Sequence, residues 1–491
     1  MNNKSRTGST ILSALLCVVI GLIIGFLVLV ALAYVDKNNT YQQNAETYLS
    51  GKYPRADMIR ARKYLEELEK MEESDAKTAR ESVAASMNGQ SDTDNLYQVI
   101  QHILNDNAGS VKFYTNEQVA AAVSAVTGQE NAETVSAFSD GIRHIILKRY
   151  EFTIGDVISD AYNKGFKAVL QGGWYSMGDE PLGPRNEIAD AAPLIMTGLS
   201  VAFAFMTGLF NIGAAGQYTV GVFGALLFAL VLKCPWYVCM MAAILFGAFW
   251  GAIPGFFKAY FNVNEVITSI MFNWIGLYAV NTIMYGGGNS PMFSINDSKT
   301  YRLDIVSPQS KIPDLSGMGS NYFVQPATIA IFIAVVVAII LWVLLNKTTF
   351  GYELKACGYS KTAAKYAGIN EKRNIILSMT IAGALAGLGG ALYSLSGSVQ
   401  WNPQDSTALP AVGFNGISVA LLASSHPIGS IFSALFISHI TIGGTKMDQS
   451  IFPKEVASII SGVIIYLCSF MMLFKSRISR LFTLKRKGGV K

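Results

Sequence analysis

Apolar residues in this chain come in long runs rather than in the short alternations of a water-soluble fold. A helix needs about 20 apolar residues to cross a bilayer. The first such run covers 11–35. Others follow at 191–209, 211–232, 235–257, 265–285, 323–345, 375–397, 407–424, 427–443 and 455–474, so the pattern predicts ten membrane helices. The first run is longer than the roughly 7–15 apolar residues of a signal-peptide core. It reads as a retained membrane helix, although Ala31-Leu32-Ala33 resembles a cleavage site.

The polar segment 36–190 separates the first two runs, and its pattern is helical. Ala56 to Met87 is rich in Ala, Glu, Lys and Arg, with apolar residues at helical spacing. Thr115-Asn116-Glu117-Gln118 forms a capping box opening Val119 to Val126. Ala132 to Arg149 and Ile154 to Leu170 continue the pattern, and strand alternation is nearly absent. His102 and His144 stand alone on helical stretches and read as packed or solvated side chains.

Composition and charge sharpen this division. A length of 491 residues would allow about three soluble domains. Yet 51% of residues are hydrophobic and 14% charged, where soluble chains carry about 25% charged residues. Residues 36–190 hold 24 of the 33 acids and 16 of the 38 bases, a net of −8. The remainder has a net of +13. These values exclude an ordinary cytosolic enzyme, a disordered chain and a secreted disulfide scaffold, and they give no sign of nucleic-acid binding. With the N-terminus inside, the short inside loops and the tail hold 16 Lys and Arg, against 6 in the short outside loops. The positive-inside bias therefore places both termini inside and 36–190 outside. The fold class is an all-α polytopic membrane protein: a first helix at 11–35, a helical extracellular insertion at 36–190, a transmembrane core at 191–474 and a basic tail at 475–491. None of the five cysteines lies in 36–190, and Cys234 and Cys239 lack an accompanying His or acid. They read as small apolar filler, so no metal site is expected.

Candidate chemistry begins with an absence. No GxxxxGK[ST] phosphate loop occurs, so the chain is not expected to hydrolyse ATP or act as an enzyme. Gly247, Gly251 and Gly255 recur every four residues, as do Gly383 and Gly387, a spacing that lets membrane helices approach closely. The stretch Gly208 to Gln217 interrupts apolar sequence with Asn211, Gln217 and three glycines. It is either a tight turn between spans or a broken helix lining a substrate path. The Phe-Asn pair beside glycines recurs at Phe414-Asn415, and interrupted segments in corresponding positions point to the site of repeat-built transporters. Asn273, Asn281 and Gln400 are helix–helix glue or substrate contacts. Asn264 suits a helix N-cap and Glu265 its positive start, at the membrane edge, where a gating role is compatible with capping. In the inside loop 346–374, Ser360 caps a short helix that runs to Ala367 and ends at Gly368. With Lys361 and Lys365, that helix lies on anionic lipid or docks into a cytoplasmic partner.

Four stretches carry a resemblance. GLFNIGAAGQ from Gly208 is similar to GLFNIGxEGQ, and NVNEVITSIMFNWI from Asn262 to GVNEVISTIMLNYI. The loop from Glu353 to Gly368 is similar to AxGxxxxAAxYAGI, and GFNGISVALLASSHPIG from Gly413 to GFxGIAVALLGxxxPIG. In this order they resemble the integral-membrane permease of bacterial nucleoside importers powered by ATP-binding cassettes, within the group that also holds ribose-type and branched-chain amino acid permeases. Ala215 stands where the family carries Glu, and residues 36 to about 150 lie outside the resemblance.

The resemblance implies a transport subunit without a cofactor of its own. Two permease subunits, a heterodimer, would form the path, and two ATPase subunits using ATP and Mg would dock on the inside loop. An extracellular lipoprotein would deliver nucleoside. Glu353, Lys355, Gly358, Ser360, Ala363, Ala364, Tyr366 and Gly368 would form the coupling segment. Asn211, Gln217, Asn273, Phe414 and Asn415 are the substrate-path candidates, with Asn264 and Glu265 at a helix start or gate. The alternatives are a permease for a simple sugar such as ribose, or an ion-coupled secondary carrier. A membrane sensor would need an output domain, and a membrane enzyme would need paired acids or a His cluster in the spans.

Overall fold

The computed structural model describes residues 3–469, apart from 69, 72, 88–92, 107–110, 130, 149, 173–184, 316–327, 398–399, 404–407 and 454. The basic tail at 475–491 and the ends of several expected spans therefore lie outside the described residues. The protein is mainly helical and divides into two compact units, Val28–Asn163 and Met1–Leu27 with Lys164–Lys491.

In the second of these units, close helix packing is set by small residues. The Glu371–Ser394 helix is central, and it runs antiparallel to Trp236–Phe261. Gly247 and Gly251 face Gly383 and Gly387 so closely that a Cβ on any of the four would overlap opposing backbone. The Ala214–Leu226 helix brings Gly221 to Gly387 in the same way. Helix Ala411–Leu422 sets Gly413 on Ala215 and Gly416 on Thr197. Gly21 and Gly25 of the first helix receive Ile464 and Ile460. Lipid tails are as apolar as leucine, so close packing rather than apolar burial holds such helices together.

Among the described residues, eight helices are long and apolar enough to cross a membrane, and two shorter apolar helices accompany them. The 407–424 run is shorter than expected as a helix. Ala411–Leu422 spans about 18 Å at 1.5 Å per residue, well under a hydrocarbon core of about 30 Å. It ends because Ser424 and Ser425 adopt left-handed backbone, with φ of 50° and 59°. The His426 ring then caps the next helix, Pro427–Thr445, by accepting from the Gly429 N–H at 3.4 Å.

The Val28–Asn163 unit packs large side chains. Tyr48, Tyr53, Met58, Met87, Leu96 and Phe138 are almost fully buried between its helices. The expected capping box forms, with the Thr115 N–H donating to Gln118 Oε1 at 3.0 Å. His144 sits 3.0 Å from the Ser82 hydroxyl, a packed histidine. One feature departs from the helical reading: Lys52–Pro54 pairs antiparallel with Phe113–Thr115. Three residues per strand are too few for alternation to show in a sequence.

Candidate functional site

The Arg185–Met206 helix stops short of Asn211, and Ala214–Leu226 begins after it. Of the intervening residues, Thr207, Leu209 and Asn211 are buried, whereas Gly208 is exposed. Gly208 makes the bend possible with a φ of 74°, which side-chain-bearing residues rarely adopt.

Three of the polar candidates meet here and close on one another. Asn211 Nδ2 donates to Gln217 Oε1 at 2.7 Å and to the Ser200 hydroxyl at 3.0 Å. Gln217 Nε2 returns a bond to Asn211 Oδ1 at 3.0 Å. Asn273 joins from the Glu265–Tyr285 helix, accepting from the Gly216 N–H at 2.8 Å and donating to the Ile212 carbonyl at 3.0 Å. Ser200 donates in turn to the Ala382 carbonyl of the central helix at 2.7 Å. The cluster thus rivets four helical segments together around the bend. Removing one partner from such a buried group leaves the other unsatisfied, at about 1–3 kcal/mol. Ala215 is fully buried against Gly413.

Phe414 and Asn415 do not join the cluster. Gly413 and Gly416 take the contact face of their helix, and at 100° per residue the two intervening positions project elsewhere. Phe414 is exposed and Asn415 half-buried.

The loop expected to couple to a partner forms two helices, Thr349–Tyr359 and Lys361–Tyr366. Ser360 caps the second by accepting from the Ala363 N–H at 3.3 Å, and Gly368 follows with a φ of 80°. Ala364 is buried, while Glu353, Ala363 and Gly368 are exposed. Lys355 reaches Asn346 Oδ1 at 3.4 Å. Tyr359 and Tyr366 are 90% and 92% exposed.

Gly358 carries the connection to the bend. A Cβ there would lie 2.5–2.7 Å from the backbone of Thr207 and Gly208, and one on Gly208 would overlap Gly358 in return. Behind this contact, Asn374 Nδ2 donates to the buried Cys357 Sγ at 3.5 Å. At the neighbouring helix start, the Asn264 side chain accepts from the Val266 N–H at 2.9 Å. Glu265 pairs with Lys258 at 2.8 Å, and Lys361 is within electrostatic reach. Thr207, Ser200 and Tyr359 belong to this site without having stood out in the sequence. A lone serine or threonine in an apolar run carries no periodic signal. Among the described residues, no group of three or more His, Cys, Asp or Glu gathers as a metal would need.

The fold is that of a multi-pass helical protein whose internal polar junction lies against an exposed two-helix loop. Residues 185–469 match the family model described as the permease component of branched-chain amino acid transport systems. The chain belongs to that family of cell-membrane permeases. It is 32% identical over 353 residues to a nucleoside ABC transporter permease of Lactococcus lactis, an alignment covering 70% of this chain and 94% of the relative. It is 36% identical over 288 residues to a guanosine ABC transporter permease of Bacillus subtilis, covering 57% and 78%. A glucose ABC transporter permease of Haloferax volcanii is 29% identical over 308 residues, covering 60% and 77%. No solved structure matches the chain.

Proposed function

We propose that this chain is a permease subunit of an ATP-driven importer that carries nucleosides into the cell by alternating access. The observation that carries this reading is the backbone contact of Gly358 with Thr207 and Gly208. Because no side chain separates the two segments, a displacement of the coupling helices reaches the bend at Asn211 undamped. A chain without a phosphate loop needs a partner to make that displacement. Exposed Tyr359 and Tyr366 offer the partner ATPase an apolar seat. Two such ATPases would use ATP and Mg, and the permease itself would bind no cofactor.

The remaining features follow the same reading. Ten spans place both termini in the cytoplasm, and the 36–190 insertion faces outside, where it holds the lipoprotein that delivers cargo. A second, different permease completes a heterodimer, in line with the two distinct permeases that Lactococcus and Bacillus each contribute to this chain's relatives. The names of the Lactococcus and Bacillus relatives support nucleosides as cargo over a simple sugar.

Uptake of labelled guanosine in the source cells, with and without this gene, tests the proposal. Deletion is expected to abolish an uptake that ATP depletion stops, that collapse of ion gradients spares, and that unlabelled nucleosides compete. Competition by glucose or ribose alone would move the protein to the sugar branch. Uptake that follows the ion gradient would make it a secondary carrier.

A further inference from the structure

One carboxylate in the membrane unit takes no part in the coupling machinery. Asp190 lies on the second turn of the Arg185–Met206 helix, half-buried, and among the described residues it has neither an ion pair nor a hydrogen bond. An ionised side chain inside a span is costly, about 2.5–3.5 kcal/mol on insertion scales at mid-membrane, and such residues mark substrate pathways.

The packing of three helices fixes its neighbours. The Arg185–Met206 helix runs antiparallel to the central helix, with Ser200 bonded to Ala382 and the Pro193–Met196 turn facing Gly389. One more turn along both helices sets Asp190 level with Tyr393. Gly390 abuts the carbonyl of Tyr218, which brings in the third helix. The rings of Tyr218 and Tyr393 are 6.3 Å apart at 51°, and the Asp190 charge reaches both. Tyr218 is 1% exposed, yet among the described residues its hydroxyl has no hydrogen-bond partner. A buried, unsatisfied hydroxyl in a native fold requires an explanation. Asp190 and the Tyr218 hydroxyl, neither of them hydrogen-bonded among the described residues, thus belong to the same three-helix junction as the Tyr218 and Tyr393 rings.

We propose that Asp190, Tyr218 and Tyr393 form a binding station for a nucleoside on its way through the permease. The carboxylate accepts hydrogen bonds from the vicinal ribose hydroxyls, the Tyr218 hydroxyl adds a bond to the cargo, and the rings contact the base. Base–aromatic contact is tolerant of base identity because every base has a π-face. A free amino acid fits this station poorly, since its carboxylate would meet Asp190, which no lysine or arginine among the described residues pairs. The station rests on the importer reading and specifies which part of the cargo the permease recognises.

The test compares maximal uptake rates of guanosine and 2′,3′-dideoxyguanosine, at saturating cargo, in cells carrying the complete importer. The wild type should favour guanosine by about tenfold or more, the expected worth of a hydrogen bond to a charged group. Asp190→Asn should bring that ratio close to one, chiefly by slowing guanosine. Tyr393→Phe should leave the ratio intact, whereas Tyr393→Ala should slow both cargoes. If Asp190→Asn does not reach the membrane, Asp190→Glu replaces it, with the carboxylate displaced and the ratio again reduced. Full discrimination in either variant, or none in the wild type, overturns the station while leaving the importer standing. A wild type that moves no nucleoside overturns the importer and the station with it.

Discussion

The two units of this protein are packed on opposite principles. In Val28–Asn163 the interior is filled by size: Tyr48, Tyr53, Tyr114 and Phe138 are among its most buried side chains. In the other unit the tightest contacts are made by glycines, with Gly247, Gly251, Gly383 and Gly387 bringing two backbones together. Water rewards burial of apolar area at about 25 cal/mol per Å², so a large side chain in a water-facing unit contributes in proportion to its area. Between helices in lipid that reward vanishes, and what remains is fit. Polar groups follow the same rule: Asn211, Gln217 and Asn273 are bonded inward to protein partners.

The sharpest way to break this comparison is to add size where the membrane unit excludes it. Gly247→Leu places a side chain where even a Cβ overlaps the Gly383 carbonyl. The expected result is loss of folded protein, seen as aggregation on size-exclusion chromatography of detergent-solubilised material. A monodisperse Gly247→Leu protein at wild-type yield would show that the two backbones are not in contact. The converse change in the other unit is smaller. Phe138→Ala should weaken Val28–Asn163 by about 3–5 kcal/mol. In the full-length protein, hydrogen exchange at the buried amides of the Ala132–Lys148 helix should then accelerate by about a hundredfold or more, as 1.4 kcal/mol is a factor of ten. Exchange in the central helix should be unchanged. Equal acceleration in both would mean the units do not open separately.

The same contrast explains what could be read from the residues. Glycine spacing is an imprint of close helix approach, so Gly247, Gly251, Gly383 and Gly387 stood out in the sequence, but that they meet one another is shown only by the fold. The caps at Thr115, Asn264 and Ser360 were visible too, because each bond spans two or three residues. The polarity of Asn211, Gln217 and Asn273 marked them as unusual in apolar runs. Their mutual closure depended on a fold that brings positions about 60 residues apart to 2.8 Å. The Gly358–Gly208 contact left no trace, since neither glycine belongs to a repeating pattern. Ser424 and Ser425 broke the 407–424 run through a left-handed turn that serine does not advertise.

The smallest expected effect is one of pH, and it separates two helix caps, only one of which contains a titrating group. Thr153 and Asp156 form a capping box: Asp156 Oδ2 accepts from the Thr153 N–H and hydroxyl at 2.8 Å each, and Thr153 Oγ1 accepts from the Asp156 N–H at 3.2 Å. The Thr153 N–H, then its hydroxyl, hold the Asp156 carboxyl below its usual range. The folded state thus favours the charged form. Its contribution is complete above the unfolded value of about 3.9 and is lost as pH falls through the lower folded value. The cap at Ser360 in the membrane unit relies on a hydroxyl that does not titrate. Acidification toward about pH 3 should therefore loosen the Ile154–Asp160 helix, read as a modest rise in its amide exchange after correction for intrinsic rates, and Asp156→Asn should remove that dependence. An equal acid-induced loosening in Asp156→Asn would place the titrating group elsewhere and leave the capping box without a part in it.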